Sequence, residues 1–175
     1  MKILAVSGSL RHDSYNTALL REAARLAPAD VEVELWEGIG DLPVYDQDLD
    51  DGDVSESVRR LRDAWGSADA ILFATPEYNG SVPGGLKNAV DWASRPKGEA
   101  ALLNRTVAVV GASTGQFGAL WAQQDLRRIL GIAGARVVGD ELPVSRAQDG
   151  FGEAVHEGLR RTLMGLVEAA LPIAA

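Results

Sequence analysis

The chain has 175 residues, of which 46% are hydrophobic and 24% are charged, a composition typical of a soluble globular protein with a sizeable core. Its net charge of −8 argues against general nucleic-acid binding and against anionic membranes, because both require clustered Lys and Arg. The absence of Cys excludes disulfides and thiol chemistry, and since neither a signal peptide nor a membrane-length apolar run is visible, we expect one cytoplasmic domain over residues 1–175.

The first predicted element is a buried strand at residues 3–6, followed by a polar turn at 7–14 and a helix at about 15–27. A helix N-terminus attracts anions, because its first N–H groups lack partners and the helix dipole is positive there. The side chains that suit phosphate oxygens at this turn are Ser9, Arg11, Ser14 and Asn16. The alternative is that Ser14 only caps the helix and that Arg11 is a solvated surface charge.

The next strands differ in pattern. Residues 31–35 alternate apolar and polar side chains, which predicts a half-buried edge strand, whereas 70–74 and 107–110 are continuously apolar, as expected for central parallel strands. Between them lies the acidic segment 42–53. It fails as a calcium loop, because Asp51 stands where Gly is required and Ser57 where Glu is required, so we expect a solvated loop.

The remaining pattern completes an alternation of five strands and five helices. Helical periodicity follows residues 53, 83 and 118, a short strand is expected at 135–138, and a last helix at about 152–170. This order predicts an α/β three-layer sandwich with a five-stranded parallel sheet of order 2-1-3-4-5. In such a sheet the loops after strands one, three and four meet at the carboxyl edge, near the switch point where ligands bind.

The three loops together suit a ligand with one phosphate and a planar polar heterocycle. The first loop offers a phosphate site, while the loops at 75–83 and 111–118 are rich in Gly and so allow the backbone to approach a flat ring closely. Flavin mononucleotide (FMN) is the simplest candidate for this combination.

Three motifs carry a family resemblance. They are G-S-L-R-x-x-S-x-N at residues 8–16, L-P-x-Y-x-x-D at 42–48, and T-P-E-Y-N-x-S-x-P-G-x-L-K-N-A-x-D-W at 75–92. With these motifs the chain resembles, over nearly its whole length, the NAD(P)H-dependent FMN reductases, which include chromate, quinone and azo-dye reductases of the flavodoxin-like fold. The resemblance implies the same fold and a bound FMN.

The resemblance also implies roles for individual residues. Ser9, Arg11, Ser14 and Asn16 would bind the FMN phosphate, and the ribityl chain and ring would be lined, largely by backbone groups, by Pro76, Glu77, Tyr78 and Asn79. Ser113 and Gly115 occupy the third flavin loop, although Gly118-Ala119 stands where the family often has two glycines. Family members commonly form homodimers or homotetramers with the flavin near the subunit boundary.

The implied reaction moves a hydride from NAD(P)H to the flavin and then to a small-molecule electron acceptor, so no catalytic side chain is expected. Two alternatives stay open: a flavodoxin-type electron carrier without NAD(P)H oxidation, and a non-catalytic module that binds a phosphorylated ligand. We expect His12 and His156 at the surface and Lys87 with Asp91 as a surface ion pair. No metal ligand set is predicted.

Overall fold

A parallel sheet forms the middle layer of the protein. The computed structural model describes residues 1–50 and 52–171, so Asp51 of the acidic segment lies outside the described residues. The strands are β1 (Lys2–Ser7), β2 (Glu32–Trp36), β3 (Ala70–Ala74), β4 (Thr106–Ala112), β5 (Arg136–Val137) and β6 (Pro143–Val144). The order β2-β1-β3-β4-β5, with parallel pairing throughout, confirms the prediction.

Helices cover both faces of the sheet. They are α1 (Tyr15–Leu26), α2 (Gln47–Asp50), α3 (Glu56–Ser67), α4 (Gly84–Ala93), α5 (Leu120–Ile132) and α6 (Glu153–Ala170), with 3-10 turns at Ile39–Asp41 and Ala147–Asp149. Successive strand residues point to opposite faces. Ile71 and Val107 pack with α3, α4 and α5, whereas Leu72 and Ala108 pack with α1 and α6. The predicted three-layer sandwich is therefore confirmed, and none of the helices in the described ranges is long and apolar enough to cross a membrane.

The sixth strand was not predicted. β5 pairs only with the first two residues of β4, so the end of β4 still offers backbone groups to a further strand. β6 takes that position, with Gly111 opposite Pro143 and Ala112 opposite Val144. Two residues are too short a run to give a periodic signal.

The acidic segment is more ordered than a solvated loop. It contains the short helix α2, and Asp50 lies 2.6 Å from Arg62 in an ion pair whose side chains are both largely buried. Asn88 of α4 accepts a hydrogen bond from the Tyr45 N–H at 2.8 Å and donates one to the Pro43 carbonyl at 2.9 Å. Trp92 Nε1 donates to the same carbonyl at 2.8 Å. The third motif thus holds the second motif in place.

The surface position expected for His156 is wrong. Its side chain is only 18% exposed, because α6 packs along α1 and buries this face of the helix. The imidazole Nε2 lies 2.9 Å from the carboxylate of Glu22. A hydrogen bond from Arg25, helped by the charge of this histidine, lowers the pKa of Glu22. By contrast, Lys87 and Asp91 form the expected surface ion pair at 2.7 Å.

Candidate functional site

The loops after β1, β3 and β4 enclose one cavity of about 360 Å³ at the carboxyl edge of the sheet. Its wall includes eight of the ten residues predicted to contact a ligand: Ser9, Arg11, Ser14, Asn16, Pro76, Glu77, Tyr78 and Ser113. Asn79 and Gly115 do not line it. Tyr15, Ala112 and Thr114, which the sequence reasoning did not single out, complete the wall.

The first loop is fixed tightly against β3. The backbone N–H of Gly8 donates to the carbonyl of Ala74 at 2.8 Å. A Cβ atom at Gly8 would lie 2.7 Å from the end of the Leu86 side chain and 3.3 Å from Pro76, so a larger residue would require these side chains to shift. The close contact sets where the chain turns toward α1 and the cavity.

The N-terminus of α1 opens into the cavity. Ser14 is its N-cap and accepts a hydrogen bond from the Thr17 N–H at 3.3 Å, so the capping role weighed from the sequence is observed. Ser14, Tyr15 and Asn16, which begin the helix, all line the cavity. The positive end of the helix dipole therefore faces any ligand bound there, which favours an anionic group.

Arg11 adds the one full positive charge in the cavity wall. Its guanidinium lies over the Tyr15 ring, 5.1 Å from the centroid, and makes neither a hydrogen bond nor an ion pair with the described residues. A guanidinium left free beside a helix N-terminus, in a chain of net charge −8, suits a phosphate. His12 is fully solvent-facing, as expected, and lies 3.1 Å from Asp13.

Asn16 is buried, and its amide contacts the backbone of β4. Its Nδ2 donates to the Ala112 carbonyl at 3.0 Å, and its Oδ1 accepts from the Ala112 N–H at 2.9 Å. The side chain therefore ties the start of α1 to the end of β4, and its remaining amide hydrogen is the one donor that it keeps for an anionic ligand. No local signal could have indicated this, because the partner lies 96 residues away in sequence.

The second loop ends in a tight turn. Tyr78 and Ser81 exchange two backbone hydrogen bonds, at 3.1 and 3.2 Å, and the residues between them, Asn79 and Gly80, have φ values of 54° and 73°. Two central residues with positive φ define a type I′ turn, for which Asn-Gly is the preferred pair. Asn79 is thus explained as a turn residue, while Tyr78 stands at the cavity rim with 53% of its surface exposed.

The third loop is held by the segment that contains β6. The Ser113 N–H donates to Val144 at 3.0 Å, and the Ser113 carbonyl accepts from the Ala147 N–H at 3.0 Å. Gly118 has φ of 57°, and a Cβ atom there would lie 2.6 Å from the backbone of Pro143. Glycine is therefore required where this loop crosses the unpredicted strand.

A second cavity, of about 480 Å³, lies on the other side of the first loop. It shares Ser9 and Arg11 with the first cavity, and its wall continues to Arg21 on α1 and to Trp36 and Glu37 at the end of β2. No residue of the second or third loop lines it. A ligand that contacts all three loops must therefore occupy the first cavity.

The first cavity fits a flat monophosphate ester. The first loop presents the helix N-terminus, the Ser9 hydroxyl and the free Arg11 guanidinium, which match a dianionic phosphate. The second and third loops present Pro76, Tyr78 and the backbone around Ser113, which suit an extended polar ring. Among the described residues, no group of three or more His, Asp or Glu could hold a metal ion.

Known proteins resemble this chain in sequence and fold. The family model described as NADPH-dependent FMN reductase matches residues 1–149. An NAD(P)H-dependent FMN reductase of Pseudomonas aeruginosa is 43% identical over 152 residues, covering 86% of this chain and 81% of the relative. A quinone reductase of Escherichia coli is 33% identical, covering 97% and 93%. The flavoenzyme NAD(P)H:(acceptor) oxidoreductase of Paracoccus denitrificans superposes with a TM-score of 0.83 at 34% identity, covering 96% and 98%.

Asn16→Ala should lower the free energy of unfolding by about 2 kcal/mol or more, because two hydrogen bonds are lost and the buried backbone groups of Ala112 are left unpaired. Urea denaturation of the apoprotein measures the change. Gln124→Ala, at an exposed position of α5, is the control and should alter stability by no more than about 0.5 kcal/mol. Equal stability of the Asn16 variant and the parent would contradict the proposal that the Asn16 side chain holds the start of α1 against the end of β4.

Proposed function

The chain belongs to the NADPH-dependent FMN reductase family, and we propose that it oxidises NAD(P)H through bound FMN and reduces quinones and related small-molecule acceptors. The observation that carries this proposal is a cavity lined by all three loops, with the free Arg11 guanidinium in its wall. A 2-hydroxy-1,4-benzoquinone reductase of Burkholderia is 45% identical to this chain and a quinone reductase of Pseudomonas putida is 44% identical, which favours quinones as acceptors.

Different residues of the cavity would bind different parts of the cofactor. Ser9, Arg11 and the N-terminus of α1 would hold the phosphate, while Pro76, Tyr78 and the backbone around Ser113 would hold the ribityl chain and ring. Bound FMN would supply the hydride-transfer chemistry, and the protein would supply position and hydrogen bonds.

No side chain in the cavity is required to act as an acid, base or nucleophile. The half-exposed Tyr78 marks the open rim, where a planar nicotinamide and a planar acceptor could be bound in turn by aromatic contact. Pro76 and the turn that follows it would keep this face rigid. One open face that serves two planar substrates in sequence fits a reductase that accepts several quinones.

We also propose that the protein is a homodimer or homotetramer. Large apolar side chains remain exposed in the loops near the cavity: Leu10 is 66% exposed and Phe117 48%. A second subunit that covers them could complete the cavity wall.

The cytoplasmic location of the protein stays a prediction from the sequence.

Activity is tested with purified protein loaded with FMN, by following NADH or NADPH oxidation with and without a benzoquinone. We expect oxidation that depends on both the bound FMN and the quinone. A yellow flavoprotein that fails to oxidise either nicotinamide would favour an electron carrier. A preparation that binds inorganic phosphate but no FMN would favour the non-catalytic module.

Arg11→Ala should weaken FMN binding about tenfold or more, since a charge-assisted hydrogen bond contributes about 1.5–3 kcal/mol. Quenching of flavin fluorescence measures the dissociation constant. Riboflavin, which lacks the phosphate, is the matched ligand and should bind the variant and the parent equally. Arg161→Ala, at an exposed position of α6, should leave FMN affinity unchanged. An equal loss for FMN and riboflavin would mean that the arginine does not read the phosphate.

The assembly state is measured by sedimentation equilibrium over a range of protein concentrations. We expect the mass of two or four chains of 18.6 kDa each. A monomer at all concentrations, with full NAD(P)H oxidation, would contradict the proposed oligomer and leave the proposed reaction intact.

A further inference from the structure

The side chain of Glu77 reaches from the second loop to the start of α5. Its Oε2 accepts a hydrogen bond from the backbone N–H of Ala122 at 3.1 Å. Ala122 belongs to the first turn of α5, where backbone N–H groups have no partner within the helix. The contact therefore joins the second loop to the helix that directly follows the third loop.

The start of α5 has no cap of its own. The N-cap residue, Ala119, lacks a polar side chain and has φ of 61°, a conformation that follows the crossing of Gly118 over β6. A carboxylate at a helix N-terminus is favoured both by the hydrogen bond and by the helix dipole. Glu77 supplies from another loop the cap that the local sequence does not provide.

A second bond links the same two segments. Ser81 Oγ, at the far side of the tight turn, donates to Asp125 Oδ2 of α5 at 2.8 Å. Glu77 and Ser81 thus lie on either side of Tyr78, and each makes one hydrogen bond to the first two turns of α5. The second loop and α5 are held together at two points, of which only Glu77 lines the cavity.

We propose that Glu77 is a positioning residue: its carboxylate holds the start of α5 and the third loop against the second loop, and so fixes the width of the cavity. This inference rests on the proposed function only where it concerns FMN. The carboxylate acts through the Ala122 N–H and is not itself a ligand of the cofactor. Losing it lets the third loop move away and lowers FMN affinity without removing any contact to the flavin.

Trp121 provides a readout that needs no cofactor. It directly precedes Ala122 and is 47% exposed, whereas Trp65 and Trp92 are fully buried and Trp36 is partly buried. Acrylamide quenching of tryptophan fluorescence in the apoprotein therefore reports chiefly on the start of α5. Subtracting the fluorescence of a Trp121→Phe variant isolates the contribution of Trp121.

The experiment compares Glu77→Ala with Glu77→Gln, whose amide oxygen can still accept the Ala122 N–H. Glu77→Ala should increase Trp121 quenching in the apoprotein and weaken FMN binding about tenfold, while Glu77→Gln should keep the dissociation constant within about threefold of the parent. Ser55→Ala is the matched control, since it removes the N-cap of α3, which accepts the Val58 N–H. It should reduce stability but leave FMN affinity and Trp121 quenching unchanged.

Two outcomes would overturn the inference. Weaker FMN binding by Glu77→Ala with unaltered Trp121 quenching would mean that the carboxylate contacts the flavin directly. Unaltered quenching and unaltered affinity would mean that the bond to Ala122 has no effect on the cavity. Both outcomes differ from failure of the proposed function, in which the parent protein itself would neither bind FMN nor oxidise NAD(P)H.

Discussion

The parallel pairing of β1, β3 and β4 is the constraint on which the site depends. Because neighbouring strands run in the same direction about 5 Å apart, their carboxyl ends lie side by side, and the three chain segments that leave them start within about 10 Å of each other. Burial of these strands on both faces holds the pairing in register. The meeting of the loops is thus a consequence of the sheet.

Contacts between the loops then give the cavity its shape. Gly8 bonds to the end of β3, Asn16 to the end of β4, and Glu77 to the start of α5, while β6 supports the third loop from behind. Each bond joins segments that are distant in sequence. A cavity held in this way needs little further ordering when a ligand binds, which favours affinity.

Within the motifs, residues that could contact a ligand alternate with residues that build the site. Arg11 is free to bind an anion, whereas Asn79 forms a turn, and Asn88 and Trp92 anchor the acidic segment. The strongly acidic chain still presents a positive region, because a helix N-terminus and the Arg11 guanidinium act locally, and the carboxylate of Glu77 in the same wall accepts the Ala122 N–H.

The sequence by itself determined the sheet order and the loops that form the site, because apolar runs, helical periodicity and glycine-rich turns are local patterns. The sequence also identified the family, because the long motif at residues 75–92 is specific. Only the tertiary structure decided how the side chains are used. Asn16 pairs with Ala112, Glu77 caps α5, and His156 is half-buried against α1, because each partner lies on an element that packing, and not sequence proximity, brings close.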